Sequence, residues 1–394
     1  MICSLVSNIG VLAVFKYYNF FTENINWLLT SGGNSKPLPY LTIILPIGLS
    51  FHTFQAMSYT IEIYRGNQKA ERHLGIYALY VMFYPQLVAG PIERPQNLIH
   101  QFREKHRFDY DRVTSGLKLM AWGFFKKIVI ADRLAILVNT FYSDPLSHQD
   151  LTLFAILFFS IQIYCDFSGY SDIAIGCARV LGIQLMKNFN RPNFSKSIAE
   201  FWRRWHISLS TWFKDYLYTP LKGSKKNRLH WAFSILVVFL LSGLWHGANW
   251  TFIIWGGLHG LFIILEFLIK KYIKIKLPDV LSLFITFNIV CLTRIFFRAP
   301  TLKDAINVFN QVKDIVILKT QIRLPNYDQT YLLIDILLIL FLFLIEYIQS
   351  YKSIPTWLSK QSIVVRFTIY TLGIVSIFLL GNFNSQGQFI YFQF

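Results

Sequence analysis

Long apolar stretches recur along the 394-residue chain, and they constrain its fold more than any other feature. A helix needs about 20 mostly apolar residues to cross a bilayer. Ten stretches reach or approach that length, at residues 1–21, 38–61, 74–92, 115–137, 151–182, 229–248, 250–269, 280–297, 331–349 and 363–381. We therefore predict an all-α, polytopic membrane bundle of about ten helices, with additional re-entrant or interfacial helices. Residues 1–394 are interpreted as a single membrane domain, because no internal repeat or low-complexity linker divides them.

Composition excludes several classes of protein. Charged residues make up only 15% of the chain and hydrophobic residues 54%, whereas soluble domains carry about 25% charged residues. The 37 Phe, 21 Tyr and 10 Trp exclude a disordered chain. The net charge is +17, and the basic residues lie between apolar stretches, as they do in cytoplasmic loops. Nucleic-acid binding would need them on solvated faces instead. The cysteines are expected to be membrane-packed thiols, since none has CxxC spacing: Cys3, Cys165, Cys177 and Cys291.

Basic residues predict the orientation of the bundle. Two clusters without intervening acids should face the cytoplasm: Lys222, Lys225, Lys226 and Arg228, and then Lys270, Lys271, Lys274 and Lys276. The two spans between these clusters would then form a hairpin whose turn, at residues 247–249, lies toward the outer side.

The stretch 74–92 conflicts with simple alternation because basic residues flank both of its ends: Arg65, Lys69 and Arg72 before it, and Arg94, Arg103, Lys105 and Arg107 after it. A re-entrant segment that turns at Pro85, Gly90 and Pro91 would resolve the conflict. The stretch 115–137 is also unusual, because it carries five charged residues, and it is compatible with an interfacial helix whose charged face meets water.

The segment 201–220 contains an aromatic face at helical spacing. Its members are Trp202, Trp205, Leu209, Trp212 and Tyr216. Arg203 and Arg204 fall on the opposite side, which predicts an amphipathic helix in the membrane interface. His206 lies at the border of the apolar face, where a structural hydrogen bond and a functional role are both open.

A second histidine, His246, lies in the middle of an uncharged apolar hairpin. Ionisable side chains are costly in the membrane, so a function is the first hypothesis. The alternative is a neutral imidazole bonded to a backbone carbonyl that Gly243 and Gly247 expose. His259 follows on the next span among Gly256, Gly257 and Gly260, and we expect it to pack between helices or to support the site.

Two carboxylates, Asp166 and Asp172, lie in the apolar segment that also contains Ser168 and Tyr170. Carboxylates in a membrane need donors. We expect structural pairing with the next basic residues of the chain: Arg179, Arg191, Arg203 and Arg204. The segment lacks the context of a nucleophile elbow, no phosphate-binding loop follows a strand, and the histidine spacing predicts no metal site.

The chain resembles the membrane-bound O-acyltransferase family, in the bacterial branch of alginate O-acetylation proteins and peptidoglycan O-acetyltransferases. The similarity lies in GPIERP at 90–95, CDFSGYSDIAIG at 165–176, NFNRPNFS at 188–195, FWRRWHISLSTWFKDYLYTPL at 201–221, SGLWHGANWTFIIWGGLHG at 242–260, RIFFRAP at 294–300 and FIYFQF at 389–394. The motif core spans residues 160–260. The D-alanyl transfer proteins of teichoic acid synthesis share some of these elements. Family members usually begin with further membrane helices, so we expect an N-terminally shortened version.

This resemblance implies a fold and a reaction. A helical bundle would enclose a funnel in a bacterial cytoplasmic membrane, with His246 as catalytic base and His206 as a second functional position. Acetyl-CoA would be the cytoplasmic donor, without a tightly bound cofactor, and an extracytoplasmic acetyltransferase- or esterase-like partner would pass the acetyl group to a glycan. Residues expected along the substrate or donor channel are Arg203, Arg204, Trp205, Trp245, Asn249, Ser168 and Tyr170, whereas Asp166, Asp172 and His259 are expected to be supporting.

The sequence leaves two alternatives open. One is D-alanyl transfer to teichoic acid. The other is a transporter or flippase, in which broken helices and a buried histidine would serve alternating access; such proteins often show internal symmetry, which this sequence does not.

Overall fold

The computed structural model describes residues 1–32, 37–43, 46, 48–222, 227–274, 276–317, 326–351, 354–383 and 389–390. Lys225 and Lys226 of the first basic cluster and parts of the closing FIYFQF lie outside these residues. The regular elements of the described residues are all helical, as expected. The helices of the first half are α1 Ile2–Leu12, α2 Tyr18–Ser31, α3 Leu49–Tyr64, α4 Leu74–Met82, α5 Pro95–Leu98, α6 Tyr110–Phe124, α7 Asp132–Ser143 and α8 Thr152–Val180.

The second half begins with three short helices and continues with long ones. They are α9 Ile198–Arg204, α10 Ile207–Phe213, α11 Thr219–Leu221, α12 Arg228–His246, α13 Trp250–Leu268, α14 Asp279–Arg298, α15 Leu302–Val316, α16 Gln329–Tyr351, α17 Ile354–Ser359 and α18 Ile363–Leu380. Within the described residues, four stretches of π-helix extend these elements, at Ala13–Tyr17, Phe125–Ala131, Lys214–Tyr218 and Ile269–Ile273.

Six helices of the described residues are long and apolar enough to cross a membrane: Gln149–Val180, Arg228–His246, Trp250–Ile273, Asp279–Arg298, Gln329–Tyr351 and Ile363–Leu380. They correspond to the last six of the ten predicted stretches. The first four stretches form shorter or more polar helices, so length and hydropathy support six spans and leave the count of ten as a prediction.

Helix α8 forms the centre of the bundle. Of its most apolar 18 residues, 83% are buried, whereas none of the corresponding residues of α18 is buried. Helix α6 packs closely against α8 through two pairs of glycines seven residues apart. A Cβ on Gly116 would lie 2.6 Å from the carbonyl oxygen of Gly176, and a Cβ on Gly123 would lie 2.6 Å from that of Gly169. Small residues let helix backbones approach in this way.

The stretch 115–137 turns its central charges inward, contrary to the interfacial alternative. It forms the end of α6, the π-helix Phe125–Ala131 and the start of α7. Lys126 is 3% exposed and Asp132 is 9% exposed. Lys126 is directed into the protein toward Asp172 of α8, and Asp132 pairs with Lys127 of its own stretch.

The segment 74–92 folds back on itself, as the re-entrant prediction requires. Helix α4 contains only nine residues, and the chain then turns before Gly90. The two flanks meet in an ion pair of 2.6 Å between Glu71 and Arg103. The hydroxyl of Tyr80 in α4 donates to the backbone oxygen of Glu93 at 2.9 Å, and this bond holds the returning segment against the helix. Basic residues on both flanks can therefore face the same side.

Candidate active site

The hairpin of α12 and α13 positions His246 at its turn. Glycine contacts hold the two helices together, as predicted: a Cβ on Gly243 would lie 2.2 Å from the carbonyl oxygen of Phe252, and one on Gly256 would lie 2.2 Å from that of Phe239. His246 is the last residue of α12. The hairpin thus places the imidazole at a helix end, close to the outer side in the predicted orientation.

The turn of the hairpin is tied to other parts of the chain. Lys16 donates from Nζ to the carbonyl oxygens of Trp245 at 2.7 Å and His246 at 3.2 Å. A positive charge there complements the carbonyl end of α12. Asn249 caps α13, because its side-chain oxygen accepts from the backbone of Thr251 at 3.0 Å and its amide donates to the carbonyl of Pro300 at 3.1 Å. These bonds give Asn249 a capping role, and its expected place in the channel stays a prediction.

Aromatic rings surround His246. The imidazole is 4% exposed, and its ring centroid lies 4.9 Å from that of Trp245, 5.0 Å from that of Trp255 and 5.4 Å from that of Phe297. Water is scarce in such surroundings, so a neutral imidazole is favoured over an imidazolium.

His206 lies at a break between two short helices, and not within a continuous helix as the spacing predicted. Helix α9 ends at Arg204, Trp205 is extended, and His206 adopts φ 44° and ψ 54°, in the left-handed region. This conformation costs a non-glycine residue about 1–2 kcal/mol. Backbone bonds across the break hold it: Asn190 N donates to Arg204 O at 2.9 Å, and Ile207 N donates to Asn188 O at 2.8 Å.

The aromatic face of 201–220 is buried in the protein, so its predicted position in the membrane interface is wrong. Trp202, Trp205, Trp212 and Tyr216 are between 2% and 8% exposed. Trp212 stacks on Phe54 of α3 at 3.9 Å and donates from its indole to the carbonyl of the same residue at 3.1 Å. Helical periodicity identified an apolar face correctly but could not distinguish protein from lipid as its neighbour.

Trp245 brings the two predicted catalytic histidines into one aromatic cluster. Its ring lies 4.9 Å from His246 and 6.3 Å from His206. His206 is fully buried and also contacts Phe167 at 4.6 Å and Phe51 at 6.3 Å. Burial lowers the pKa of His206, which favours the neutral ring. The two imidazoles therefore pack on one indole in a largely dry part of the protein.

His259 has a complete set of hydrogen bonds of its own. The indole N–H of Trp202 donates to Nδ1 at 3.2 Å, and Nε2 lies 3.1 Å from the hydroxyl of Thr293, which in turn donates to the carbonyl of Val290 at 2.9 Å. Trp202 can only donate, so Nδ1 is the acceptor and Nε2 carries the proton in the neutral ring. This geometry is consistent with the supporting role predicted for His259.

Arg294 extends this cluster on the side of Trp205. Its guanidinium lies 4.6 Å from the Trp205 ring and donates to the carbonyl of Ser160 at 2.7 Å. A small cavity of about 10 Å³ lies beside Trp205, Trp255, His259 and Arg294. Such a volume holds about one water molecule, so this cavity does not provide the predicted funnel, which stays a prediction.

The acids of 164–172 pair with lysines of the stretch 115–137, and the predicted pairing with arginines is wrong. Lys127 Nζ lies 2.6 Å from Asp166 Oδ1, and Lys126 Nζ lies 2.7 Å from Asp172 Oδ2. Lys126 also donates to the hydroxyl of Ser168 at 2.8 Å. The glycine contacts of α6 with α8 explain this choice, since they bring these lysines to the acids directly across the helix interface.

The remaining predicted residues are separate from the histidines. Arg203 is exposed. Arg204 forms an ion pair of 2.5 Å with Glu200, one turn away on the same helix. Tyr170 is half-buried, and its ring lies 5.1 Å from that of Phe389. The structure therefore brings together His206, His246 and Trp245, but it does not bring the arginines or Tyr170 to them.

Sequence reasoning missed several functional or supporting residues. Lys126 and Lys127 were noticed only as charges in an apolar stretch, although the glycines seven residues apart on both helices could have indicated their partners. Nothing in the sequence singled out Glu93 or Asn188, apart from their places in GPIERP at 90–95 and NFNRPNFS at 188–195. Glu93 is fully buried and accepts a hydrogen bond from the backbone of Met186. Burial raises the pKa of Glu93 to about 7.

Comparison with known proteins identifies the family. The profile of MBOAT, the membrane-bound O-acyltransferase family, matches residues 71–296, which include both histidines. The chain belongs to this family. It is 40% identical over 305 residues to the probable alginate O-acetylase AlgI of Pseudomonas aeruginosa, an alignment that covers 77% of this chain and 58% of AlgI.

Two other relatives carry different names. The peptidoglycan O-acetyltransferase of Helicobacter pylori is 37% identical over 339 residues, with 78% of this chain and 63% of the relative covered. The teichoic acid D-alanyltransferase of Bacillus subtilis is 28% identical over 281 residues, with 65% and 70% covered. The chain thus spans about three fifths of the length of the two acetylating relatives.

Proposed function

We propose that the chain is a membrane O-acyltransferase that moves acetyl groups from a cytoplasmic donor, acetyl-CoA, toward hydroxyl groups of an exopolysaccharide or cell-wall glycan, with an extracytoplasmic partner. The observation that carries the proposal is the pair of buried imidazoles, His206 and His246, on the ring of Trp245 in a membrane-bound O-acyltransferase. Acetyl transfer is favoured over D-alanyl transfer because identity to the acetylating relatives is higher, at 40% and 37% against 28%.

The proposed reaction needs a base and stabilisation of an oxyanion. His246 takes the proton of the acceptor hydroxyl as its oxygen attacks the thioester carbonyl, and a tetrahedral oxyanion forms. When the intermediate collapses, the new C–O ester bond remains, the C–S bond breaks, and the departing thiolate takes the proton from His246. His206 assists this step by hydrogen bonding within the same aromatic cluster.

The environment of the histidines supports this assignment. The aromatic rings around His246 exclude water, which would otherwise hydrolyse the thioester. They also keep the imidazole neutral and therefore able to accept a proton. The pairs Lys126–Asp172 and Lys127–Asp166 lie on the face of α8 toward α6. Their carboxylates are therefore engaged by lysines and do not compete for the proton of His246.

Transfer of label from acetyl-CoA to glycan in isolated membranes tests the proposal. A general base typically contributes about 10²–10⁴-fold, so His246→Ala should lose at least that factor at a normal protein level. His230→Ala is a matched control, because His230 is an exposed histidine at the other end of the same helix. Wild-type transfer by His246→Ala would refute the assignment of the base, and label arriving only from a D-alanyl donor would refute acetyl transfer.

A further inference from the structure

Asn188 contacts both the backbone and the imidazole at the break that holds His206. The asparagine is fully buried. Its side-chain oxygen lies 3.2 Å from Nδ1 of His206, and it accepts from the backbone N–H of Ser208 at 3.2 Å and from the hydroxyl of Ser208 at 2.9 Å. Its carbonyl accepts the N–H of Ile207 at 2.8 Å. One residue thus fixes the backbone after His206 and contacts its ring.

The orientation of the Asn188 amide follows from these partners. A backbone N–H can only donate, so the atom that faces Ser208 N must be the oxygen. The amide nitrogen is then on the opposite side, where it donates to the hydroxyl of Ser171 at 3.3 Å. A reversed amide would place its NH₂ group against the N–H of Ser208, which is repulsive.

This orientation determines which nitrogen of His206 carries the proton. The amide oxygen accepts and cannot donate, so a favourable contact at 3.2 Å requires a proton on Nδ1. We propose that Asn188 is a positioning residue that holds His206 as the Nδ1–H tautomer and leaves the lone pair of the neutral ring on Nε2. The inference rests on the proposed function, because a fixed lone pair matters only if His206 assists proton transfer.

The other elements that pack on the ring of His206 contribute aromatic side chains. Among the described residues, these are Phe51 from α3, Phe167 from α8, Phe189 from the segment before α9, and Trp245 from α12. The titratable groups nearest to these contacts are His246, which packs on Trp245, and Asp166, which precedes Phe167 and is paired with Lys127. His52 follows Phe51 on α3.

Nitrogen NMR of the full chain, labelled with ¹⁵N-histidine in detergent micelles, tests the tautomer without any activity. The His206 signals are assigned by their loss in His206→Gln. We expect a protonated Nδ1 and an unprotonated Nε2 in the wild type, and a mixture or reversal of the two in Asn188→Leu. A proton on Nε2 of the wild-type ring would overturn the inference whatever reaction the protein catalyses.

Kinetics then test the positioning role. Asn188→Leu should lower kcat about 10- to 100-fold with KM for acetyl-CoA unchanged, by analogy with the loss on removing the partner that orients a metal-ligating imidazole. Asn188→Asp keeps an acceptor and adds a negative charge, so the acid limb of the kcat/KM profile should move upward by about 1–3 pH units. Ser171→Ala removes only the bond on the far side of the amide and should keep the wild-type profile.

Two results separate failure of this inference from failure of the proposed function. If the wild type transfers acetyl groups but Asn188→Asp leaves the acid limb in place, the positioning role is wrong and the proposed function stands. If the wild type transfers no acetyl group but the NMR tautomer is as expected, the proposed function is wrong and the tautomer assignment stands.

Discussion

Replacement of Lys127 by methionine is expected to destabilise the folded protein by about 3–5 kcal/mol, the cost of breaking a buried ion pair by removing one partner. Lys127 Nζ lies 2.6 Å from Asp166 and 2.7 Å from Asp132. The Asp166 side chain is 2% exposed and that of Asp132 is 12% exposed. Methionine has nearly the length of the lysine stem, so the predicted loss comes from charge and not from a cavity.

The magnitude depends on how the two carboxylates respond. Asp166 still accepts the backbone N–H of Ile390 at 2.9 Å, so part of its solvation remains. Burial raises the pKa of Asp132 to about 6 even with Lys127 beside it. Removing the lysine should raise that pKa further, and Asp132 should then bind a proton near neutral pH, which limits the cost to the range of a single unpaired carboxylate.

Thermal unfolding of the purified protein in detergent measures the effect. A loss of 3–5 kcal/mol should lower Tm by about 4–6 °C in a chain of 394 residues. Lys118→Met is a matched control, because Lys118 lies in the same stretch and is only half-buried over the ring of Tyr370. The double variant Lys127→Met with Asp166→Asn should recover part of the loss. If Lys127→Met unfolded at the same temperature as Lys118→Met, the buried pair would not stabilise the bundle and the reasoning would be refuted.

Other perturbations test the electrostatics, donor binding and orientation of the chain. Burial raises the pKa of Glu93 above its ordinary value of 4.5 to about 7, so the stability linked to its proton is present below pH 4.5 and lost as pH rises through 7. At pH 8, the free energy of unfolding of Glu93→Gln should therefore exceed that of the wild type by up to about 3 kcal/mol, and its Tm should be higher. At pH 4.5 the two proteins should differ little. If exposed Arg203 binds the donor's phosphates, Arg203→Gln should raise KM for acetyl-CoA at an unchanged Tm; an unchanged KM would remove it from the donor site. A cysteine at Lys274, in a cysteine-depleted chain, should react with an impermeant reagent only after cells are permeabilised, and labelling of intact cells would invert the predicted orientation.

Local patterns predicted the α12–α13 hairpin well. The glycines, the histidines and the turn all lie within one stretch of about 20 residues, and the close helix contacts need nothing from distant parts of the chain. The fold-back of 74–92 was predictable for a related reason, since its helix breakers and its flanking charges are close in sequence, whereas its re-entrant course in the membrane stays a prediction. In both cases the decisive interactions are short in sequence separation.

The break at His206 was not predictable from spacing. Periodicity continues through Trp205 and Leu209, but the backbone bonds from Asn188 and Asn190 compete with the helix and fix a left-handed residue between two helical turns. Similarly, proximity in sequence favoured arginine partners for Asp166, whereas packing of α6 on α8 selected Lys127. Both errors arise where tertiary contacts override a local preference.

Helix α8 separates charge from the histidines, and this separation explains why the proposed variants should have different consequences. Successive residues of a helix point about 100° apart, so Asp166 meets Lys127 while the next residue, Phe167, packs on the ring of His206 at 4.6 Å. A change in the lysine pair should therefore act mainly on stability and leave the pH profile of transfer in place. A change at Asn188 alters a polar contact of that imidazole and should act mainly on the pH profile. If both kinds of variant moved stability and pH dependence together, α8 would not insulate the proposed site from the charges behind it.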